Sequence, residues 1–441
     1  MSLSNLAADL QAGLPDLAVV SGSGADGYEV NGLQPAAIAR PRDADEVAAL
    51  LRFAGERGLA VTARGGGTML GQGNAPRRLD LVLDLRRLDR ILEHRPRDLT
   101  VTVEAGITFG ALAEALALHG QMLALDPPLA ARATVGGVLA ANASGPRRQR
   151  YGTARDLLIG SRSVLADGTR VRAGGKVVKN VAGYDLNKLL IGSFGTLGVI
   201  TEATFKLTPL PAALGLLTAS FDDLAAAHAV ALSVTRSALQ PLSLELAGPG
   251  IASRLSGTAG AGSTADGWLL VIELGGSPAT VERTAHDLAR LAASGGAREV
   301  RAQDEQRERI MRRLRDWGRS AEDAAALILR ASVLPADAPR AARALAEAAP
   351  EGGSPALLVR CGSGTVLSYW DERAAADMRA RVARLRRTLG AIGGTLVVEQ
   401  ASPALLATVD AWGIEGADVA LMRRVKDVYD PRGVLSPGRL V

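Results

Sequence analysis

Three glycine-rich stretches in the first half of the chain have the composition of loops that wrap around a ligand. The run ARGGGTMLGQG (63–73) contains Gly65, Gly66 and Gly67, the run ATVGGVLAANASG (133–145) is similar, and IGSFGTLGVIT (191–201) repeats glycine every three residues. Glycine lets a backbone turn tightly and approach another surface, because it has no Cβ. Consecutive N–H groups in the first run can face one way and meet the charge of a pyrophosphate. A plain glycine turn explains any one run, whereas the three together favour a long ligand lying along the backbone.

The distribution of basic residues gives a second indication of a site. Only Lys176, Lys179, Lys188, Lys206 and Lys426 are lysine, and every other basic residue is arginine. The first three lie within one short stretch. A compact ammonium differs physically from a planar guanidinium, so this stretch is a modest candidate for a binding site. Local fit to a helix or strand is the alternative.

Composition excludes several classes of protein. The net charge of +5 comes from basic residues spread along the chain without an aromatic platform, which favours a solvated arginine surface over nucleic-acid binding. The single cysteine, Cys361, excludes an intramolecular disulfide and a cysteine-ligated cluster within this chain. No apolar run reaches the roughly 18–20 residues of a membrane span, and no signal segment opens the chain. We therefore expect a cytoplasmic protein, peripheral at the inner face of the membrane only through partners.

One glycine motif resembles a dinucleotide-binding fingerprint but lacks the helix that such a site needs. Gly22, Gly24 and Gly27 spell GxGxxG after two valines. A dinucleotide fingerprint needs a helix directly afterwards, so that the helix N-terminus faces the pyrophosphate. The following residues, 28–35, are polar and end in proline. We interpret this stretch as a loop.

The elements that must position the glycine runs begin with a βαβ unit. Residues 37–40 form a predicted strand, Asp43 and Glu46 a capping box, and Gly58 a helix stop before the next strand at 59–63. Alternation predicts further strands at 79–85 and 99–103, and a helix at 109–118.

The second half of the chain repeats one pattern. Two successive β-α-β-β-α-β orders, over 214–300 and 327–400, predict an antiparallel sheet with helices on one face. A glycine-rich loop is expected at 248–267, and an arginine-rich helix at 301–319 that is either a solvated face or a docking surface. The fold class is therefore α+β, with boundaries at 1–35, 36–211, 212–412 and a closing segment at 413–441.

The glycine runs, together with DPRGVLSPGRL (430–440), resemble the PCMH-type (vanillyl-alcohol-oxidase-type) FAD-binding flavoproteins, and within them the FAD-binding E subunits of glycolate oxidase. The resemblance covers residues 36–211 most strongly. It implies a two-part FAD-binding domain followed by a cap domain. It also implies that FAD is bound by Arg64, Gly65, Gly66, Gly67, Thr68, Gly71, Gln72, Thr134, Val135, Gly136, Gly137, Ala141, Ser144, Gly145, Arg150, Tyr151, Gly152, Lys179, Gly198 and Ile200. Lys176, Lys179 or Arg150 could place positive charge near flavin N1.

The sequence departs from the family pattern in two respects. Thr68 stands where many relatives carry the histidine that attaches FAD, which predicts a non-covalent cofactor. Phe194 stands where hydroxyacid-oxidising relatives often carry an acid, and RCGSGTVLSYW (360–370) lacks their late histidine. We find no metal-ligand spacing and no convincing catalytic base, so a complete hydroxyacid site in this chain alone is in doubt.

Three functions are consistent with these observations. The first is an FAD-binding subunit of a glycolate oxidase-like complex, in which a homologous flavin subunit oxidises glycolate and an iron–sulfur subunit passes electrons onward. The second is a self-sufficient FAD-dependent D-2-hydroxy acid dehydrogenase of the D-lactate type. The third is a non-catalytic scaffold subunit that no longer binds flavin.

Overall fold

The computed structural model describes residues 5–21, 24, 26–175, 185–259, 267–351, 353–373 and 378–441. The chain forms two compact units. The first consists of Met1–Ser144, Thr153–Leu210 and Ile414–Val441, and the second of Gly145–Gly152 and Pro211–Gly413. Across the described residues, no helix combines the length and the apolar character needed to cross a membrane.

Residues 5–210 contain seven α-helices and eleven strands in the part of the chain that the structure describes. The helices are α1 (Leu6–Gly13), α2 (Ala44–Arg57), α3 (Phe109–Ala117), α4 (Val135–Ala141), α5 (Arg148–Tyr151), α6 (Ala154–Leu157) and α7 (Asn187–Leu190). The strands are β1 (Ala18–Val20), β2 (Ala37–Arg40), β3 (Val61–Arg64), β4 (Leu81–Asp84), β5 (Ile91–Arg95), β6 (Thr100–Glu104), β7 (Gln121–Met122), β8 (Leu158–Val164), β9 (Arg170–Gly174), β10 (Val199–Lys206) and β11 (Thr208–Pro209).

The predicted βαβ unit forms one edge of the first unit. The side chain of Asp43 accepts hydrogen bonds from the backbone N–H groups of Asp45 and Glu46, both at 2.9 Å, and so begins α2. Gly58 ends the helix in the left-handed region, with φ of 64°. The sheet order is β1-β2-β4-β3, and β4 pairs with both β2 and β3 in parallel. This arrangement brings the end of β3, and the first glycine run after it, to one edge of the sheet.

A five-stranded antiparallel sheet in the order β5-β6-β10-β8-β9 forms the rest of the first unit. A two-stranded pair, β7 with β11, accompanies it. The residues after Gly27 contain turns and a Val30–Leu33 bridge and no helix, which confirms the loop interpretation of the GxGxxG motif.

The second unit is built on one eight-stranded antiparallel sheet. Its helices are α8 (Leu224–Arg236), α9 (Pro249–Ala259), α10 (Pro278–Ser294), α11 (Arg307–Asp316), α12 (Ala338–Glu347), α13 (Met378–Gly390) and α14 (Pro403–Leu406). Its strands are β12 (Ala213–Phe221), β13 (Ser243–Ala247), β14 (Trp268–Gly276), β15 (Glu299–Ala302), β16 (Leu327–Ser332), β17 (Ala356–Arg360), β18 (Thr365–Trp370) and β19 (Thr395–Gln400). The last helix of the chain, α15 (Ala417–Tyr429), belongs to the first unit.

The sheet order β15-β12-β14-β13-β17-β18-β16-β19 shows both predicted repeats side by side, joined where β13 pairs with β17. The α+β class is confirmed. Four helices, α8, α10, α12 and α13, bury apolar residues against one face, as predicted. The other face is also covered, by α9 and α11, because the strands carry apolar residues such as Val271 and Leu367 on that side too. The predicted loop at 248–267 was therefore wrong for residues 249–259, which are α9, while 260–266 lie outside the described residues.

The arginine-rich segment is an internal element of the second unit. Arg307 on α11 and Arg147 both donate to the carboxylate of Glu273, which has no exposed surface, with closest N–O distances of 2.9 and 2.7 Å. Arg313 pairs with buried Asp323 at 2.9 Å, and Arg319 pairs with Glu399. These arginines are held by carboxylates of their own unit, so the segment is not favoured as a docking surface.

We predict that Glu273→Gln destabilises the second unit by about 3 kcal/mol, because removing one partner of a buried ion pair leaves the other charges uncompensated. All four tryptophans (Trp268, Trp317, Trp370 and Trp412) lie in this unit, so tryptophan fluorescence during urea unfolding reports on it alone. Glu299→Gln, at a more exposed pair with Arg301, is the control and should change the unfolding free energy by less than about 0.5 kcal/mol. Equal effects of the two substitutions would contradict the assigned role of Glu273.

Candidate cofactor cleft

The glycine runs meet at a cleft in the first unit. Its empty volume is about 730 Å³, including the part open to solvent. Three stretches line most of it, namely the end of β3 with the following loop, helix α4, and the turn that leads into β10. The lining residues are Ala63, Arg64, Gly65, Gly66, Gly67, Thr68, Met69, Leu70, Leu85, Ala105, Thr134, Gly136, Gly137, Ala140, Ala141, Phe194, Gly195, Gly198, Val199, Ile200 and Arg439.

Helix α4 presents small residues to the cleft. Gly136, Gly137, Ala140 and Ala141 lie on the cleft side, whereas Val135, Val138 and Leu139 are buried in the protein. Thr134 begins the helix by accepting a hydrogen bond from the N–H of Gly137 at 3.4 Å. Because large side chains face inward and small ones face the cleft, the helix leaves room for a ligand along its surface.

Two of the glycines allow the first two loops to touch. A Cβ at Gly66 would lie 1.8 Å from the carbonyl oxygen of Arg132, and one at Gly65 would lie 1.9 Å from Oγ1 of Thr134. No side chain fits at either distance. Glycine is required at Gly66 for contact with the backbone of Arg132 and at Gly65 for contact with the side chain of Thr134, and these contacts place the loop after β3 beside α4.

Arg64 carries the charge of the cleft. Its Nε and Nη1 atoms are buried and have no hydrogen-bond partner among the described residues. The guanidinium lies over the ring of Tyr28, at 4.1 Å from the ring centroid. Burial lowers the pKa of Arg64 from its usual value, and the neighbouring Arg86 lowers it further. Buried N–H groups without acceptors are costly, so this guanidinium is prepared for an anion.

The carboxylate of Asp84 cannot fully neutralise Arg64, because other side chains already donate hydrogen bonds to it. Tyr28 donates its hydroxyl to Asp84 at 2.7 Å, and Arg86 donates to the same carboxylate, also at 2.7 Å. Arg40 and Arg86 both donate to the Tyr28 hydroxyl. Burial alone would raise the pKa of Asp84, but the hydrogen bonds from Arg86 and Tyr28 outweigh it and hold the pKa below its usual range. Arg40 and Arg86 therefore both pair with the Asp84 carboxylate, at 3.7 and 2.7 Å.

A second arginine in the cleft was missed by sequence reasoning. Arg439 is 2% exposed and donates to the carbonyl oxygens of Leu70 and Gln72, the latter at 2.9 Å. Its guanidinium lies 6.0 Å from the ring centroid of Phe194. Burial lowers the pKa of Arg439 to about 10. The signal for Arg439 in the sequence is the family-like closing segment 430–440, in which the sequence predicts no individual cofactor residue.

The structure brings eleven of the predicted FAD residues to the cleft lining. They are Arg64, Gly65, Gly66, Gly67, Thr68, Thr134, Gly136, Gly137, Ala141, Gly198 and Ile200. The others do not line the described cleft. Gly71, Gln72, Val135 and Ser144 lie in the first unit, Gly145, Arg150, Tyr151 and Gly152 lie in the second, and Lys179 lies outside the described residues, as does Lys176. The Nη1 atom of Arg150 donates a hydrogen bond to Oε1 of Gln240 at 2.6 Å.

Sequence reasoning also missed the apolar part of the lining. Leu85, Ala105, Ala140, Phe194 and Val199 contribute to it and carry no local motif that would mark them. Among the described lining residues, none carries a carboxylate, imidazole, phenol or thiol. The described residues also contain no group of three or more side chains suited to hold a metal ion. The lining can therefore bind and orient a long anionic ligand, but it does not itself present a proton acceptor.

Two family models match the chain. One, described as an FAD binding domain, matches residues 35–174, and one described as the C-terminal domain of FAD linked oxidases matches residues 210–402 and 410–440. The chain belongs to the FAD-linked oxidases. It is an FAD-dependent oxidoreductase, and the PCMH-type resemblance is confirmed. This membership leaves the scaffold hypothesis without support.

Curated relatives match over nearly the whole chain. Glycolate oxidase subunit GlcD of Bacillus subtilis is 30% identical over 423 residues, covering 92% of this chain and 89% of the relative. D-lactate dehydrogenase of Archaeoglobus fulgidus is 32% identical over 420 residues, covering 92% of this chain and 91% of the relative. Glycolate oxidase subunit GlcE of Escherichia coli is 42% identical over 132 residues, covering 30% and 38%.

A solved structure shows the same fold. The crystal structure of p-cresol methylhydroxylase with substrate bound aligns with a TM-score of 0.77 at 18% sequence identity, covering all of this chain and 97% of the other. At that identity the likeness concerns the fold alone.

The residues of the cleft fit FAD. The buried N–H groups of Arg64 suit a phosphate, and the small residues of α4 leave space for a flat ring system. FAD supplies an electron acceptor, and the protein supplies binding, orientation and charge. Thr68 lies in the lining, and none of the four histidines of the chain is among the lining residues.

We predict that Gly66→Ala lowers FAD affinity by at least about tenfold, because the new methyl group forces the loop away from Arg132. The clash is with protein backbone, so alanine is sufficient and a larger residue is not needed. Flavin-to-protein ratio after gel filtration is the measurement, with tryptophan fluorescence confirming that the second unit is intact.

Gly55→Ala, in α2 of the same unit, is the matched control, because Gly55 is not among the predicted FAD residues. Its Cβ would come no closer than 3.7 Å to another atom, the carbonyl oxygen of Ala166, which is ordinary contact. Equal flavin loss in both variants would contradict the assignment of the Gly66 contact.

We further predict that FAD is bound without a covalent link. Acid precipitation should release all the yellow colour into the supernatant. Flavin fluorescence that stays on the denatured protein band in a gel would contradict this.

Proposed function

We propose that the chain takes part in the FAD-dependent oxidation of a small 2-hydroxy acid, as a subunit of a glycolate oxidase-like complex. The observation that carries the proposal is the match over 92% of the chain to two relatives, one named for glycolate oxidase and one for D-lactate dehydrogenase. Glycolate and D-lactate are both small 2-hydroxy acids. The shorter match to GlcE supports the role of a subunit.

The chemistry of this reaction sets requirements that the cleft meets in part. A 2-hydroxy acid needs a cation for its carboxylate and a base for its hydroxyl proton. Besides Arg64, which suits a phosphate, Arg439 is the cation in the described lining, and that lining contains no such base. In our proposal, groups beyond this lining provide proton transfer, and a homologous flavin subunit and an iron–sulfur subunit complete the reaction and receive the electrons. The complex would work in the cytoplasm and reach the inner face of the membrane only through its partners.

A second candidate is a self-sufficient FAD-dependent D-2-hydroxy acid dehydrogenase. The match to the D-lactate dehydrogenase of Archaeoglobus fulgidus, which extends over 91% of that protein, favours it. The two candidates share the cofactor and the substrate class. They differ in whether the isolated chain oxidises the 2-hydroxy acid without partner subunits.

We predict that the isolated chain reduces its flavin slowly with glycolate or D-lactate, because the loss of positioned proton transfer costs on the order of 10²–10⁴-fold in rate. The measurement is anaerobic stopped-flow mixing of the purified holoprotein with each acid, following the bleaching of the visible flavin band. Dithionite should bleach the same sample at once, since it needs only an accessible flavin.

The dithionite reaction is also the control for flavin competence. Rapid bleaching by either acid with no partner present would overturn the subunit proposal in favour of the dehydrogenase. We expect a sample that dithionite bleaches at once, that either acid reduces only slowly, and that gains activity when co-purified with partner chains.

A further inference from the structure

The turn before β10 is a strained part of the cleft wall. Gly192, Phe194 and Gly195 all have positive φ, of 80°, 53° and 71°. Positive φ is unfavourable for a residue that carries a side chain, so Phe194 adopts it only if its surroundings hold it there. Phe194 and Gly195 line the cleft. Their position therefore depends on what fixes the turn.

Helix α4 fixes one side of the turn. The N–H groups of Gly192 and Phe194 donate to the carbonyl oxygens of Leu139 and Ala140, at 3.0 and 2.9 Å. The hydroxyl groups of Ser193 and Thr196 donate to the carbonyl oxygens of Leu190 and Ser193, at 2.8 and 2.7 Å, which are close in sequence and do not anchor the turn to a distant segment. The far side of the turn needs a second support.

Lys426 is that second support. Its Nζ donates to the carbonyl oxygen of Thr196 at 2.8 Å, to the carbonyl oxygen of Leu435 at 2.8 Å, and to the carboxylate of Asp430. An ammonium has three donors, and here each one meets an acceptor. Burial lowers the pKa of Lys426 below its usual value, although the hydrogen bond to Asp430 opposes the shift.

The other partners of Lys426 lead to the loop on the opposite side of the cleft. Asp430 accepts from the N–H groups of Val434 and Leu435, at 2.9 and 2.7 Å. Val61 on β3 donates to the carbonyl oxygen of Val434 at 2.7 Å, and Leu435 forms a parallel bridge with Val61. Strand β3 runs into Gly65–Gly67. One ammonium group thus joins the turn before β10 to the segment that holds β3.

Helix α15 is otherwise weakly attached. Among its thirteen residues, all of them described, Lys426 is the one that is buried, while Leu421 and Val428 are 58% and 78% exposed. Val419, Met422, Val425 and Tyr429 are only half-buried. Lys426 is therefore the buried attachment point of the helix.

The choice of lysine agrees with this geometry. The chain has five lysines and uses arginine at every other basic position. A planar guanidinium cannot point three donors at acceptors grouped around one nitrogen, whereas a compact ammonium can. A plain ion pair with Asp430 would have allowed arginine.

We propose that Lys426, held by Asp430, is a positioning residue for the FAD cleft, which fixes the turn at 192–198 so that Phe194 and Gly195 stay in register with the loop after β3. The proposal rests on the cleft being the FAD site. Lys426 does not line the cleft, so it acts through the turn.

The test uses Lys426→Met, Lys426→Arg and Asp430→Asn, with Lys206→Met as the control at an exposed lysine of the same unit. FAD is titrated into apo-protein and its dissociation constant is measured by flavin fluorescence. The visible spectrum of the bound flavin and amide hydrogen exchange over 192–198 are recorded as well. We expect FAD affinity to fall about 5- to 150-fold in all three variants, the usual range for coupling between sites. Lys206→Met should change it by less than about twofold.

Three further results separate positioning from simple stability. Faster exchange should be confined to 192–198 and 434–436, the flavin spectrum should shift, and Lys426→Arg should not rescue binding. Unchanged FAD affinity in the folded fraction of Lys426→Arg and Asp430→Asn, even with a lower unfolding midpoint, would overturn the proposal. If Lys426→Met does not fold, those two variants decide. Loss of FAD in Gly66→Ala with normal binding in the Lys426 set would overturn this inference alone and leave the FAD site standing.

Discussion

The close contact between Gly65–Gly66 and residues 132–134 is the constraint on which the cleft depends. No Cβ fits at either glycine, because the backbone of Arg132 lies against Gly66 and the side chain of Thr134 lies against Gly65. The contact puts Thr134, the N-cap of α4, against the loop after β3, and Thr134 accepts from the N–H groups of both Gly66 and Gly137. The cleft floor and the start of α4 are therefore positioned by one junction. Glycine serves the ligand indirectly, by letting the protein close on itself at this point.

The positive charge of the cleft at Arg64 is not fully neutralised, because the neighbouring side chains form hydrogen bonds with one another. Tyr28, Asp84 and Arg86 satisfy one another, which leaves two buried nitrogen atoms of Arg64 without an acceptor among the described residues. Burying polar groups without partners costs free energy that a bound anion recovers. The described lining thus combines a cation for phosphate, small residues for a ring system, and no group that titrates near neutral pH. Binding and orientation of a redox cofactor are what such a lining does well.

The closing segment of the chain completes the cleft from outside the glycine motifs. Arg439 holds the loop at Leu70 and Gln72, and Lys426 holds the turn at Thr196. Both are buried cations that donate to backbone carbonyls of cleft loops. Those carbonyl oxygens lie in turns, where no neighbouring strand or helical turn of the described chain supplies a backbone N–H donor. Side-chain donors therefore take the place of backbone donors. The last residues of the chain are in this way part of the site.

The sequence by itself determined the class of fold, the two tandem repeats and the glycine runs, because strand alternation, helix caps at Asp43 and Gly58, and glycine spacing are local properties. It also determined the family, through motifs that are contiguous in the chain. Only the tertiary structure decided that Arg439 and Phe194 line the cleft and that Arg307 forms an ion pair with Glu273. It also decided that residues 249–259 form a helix rather than a loop. Arg439 meets Leu70 across more than three hundred residues, and no local periodicity encodes that meeting. Contacts of this kind arise from the packing of buried side chains against one another, which is a property of the folded chain and not of any one stretch of it.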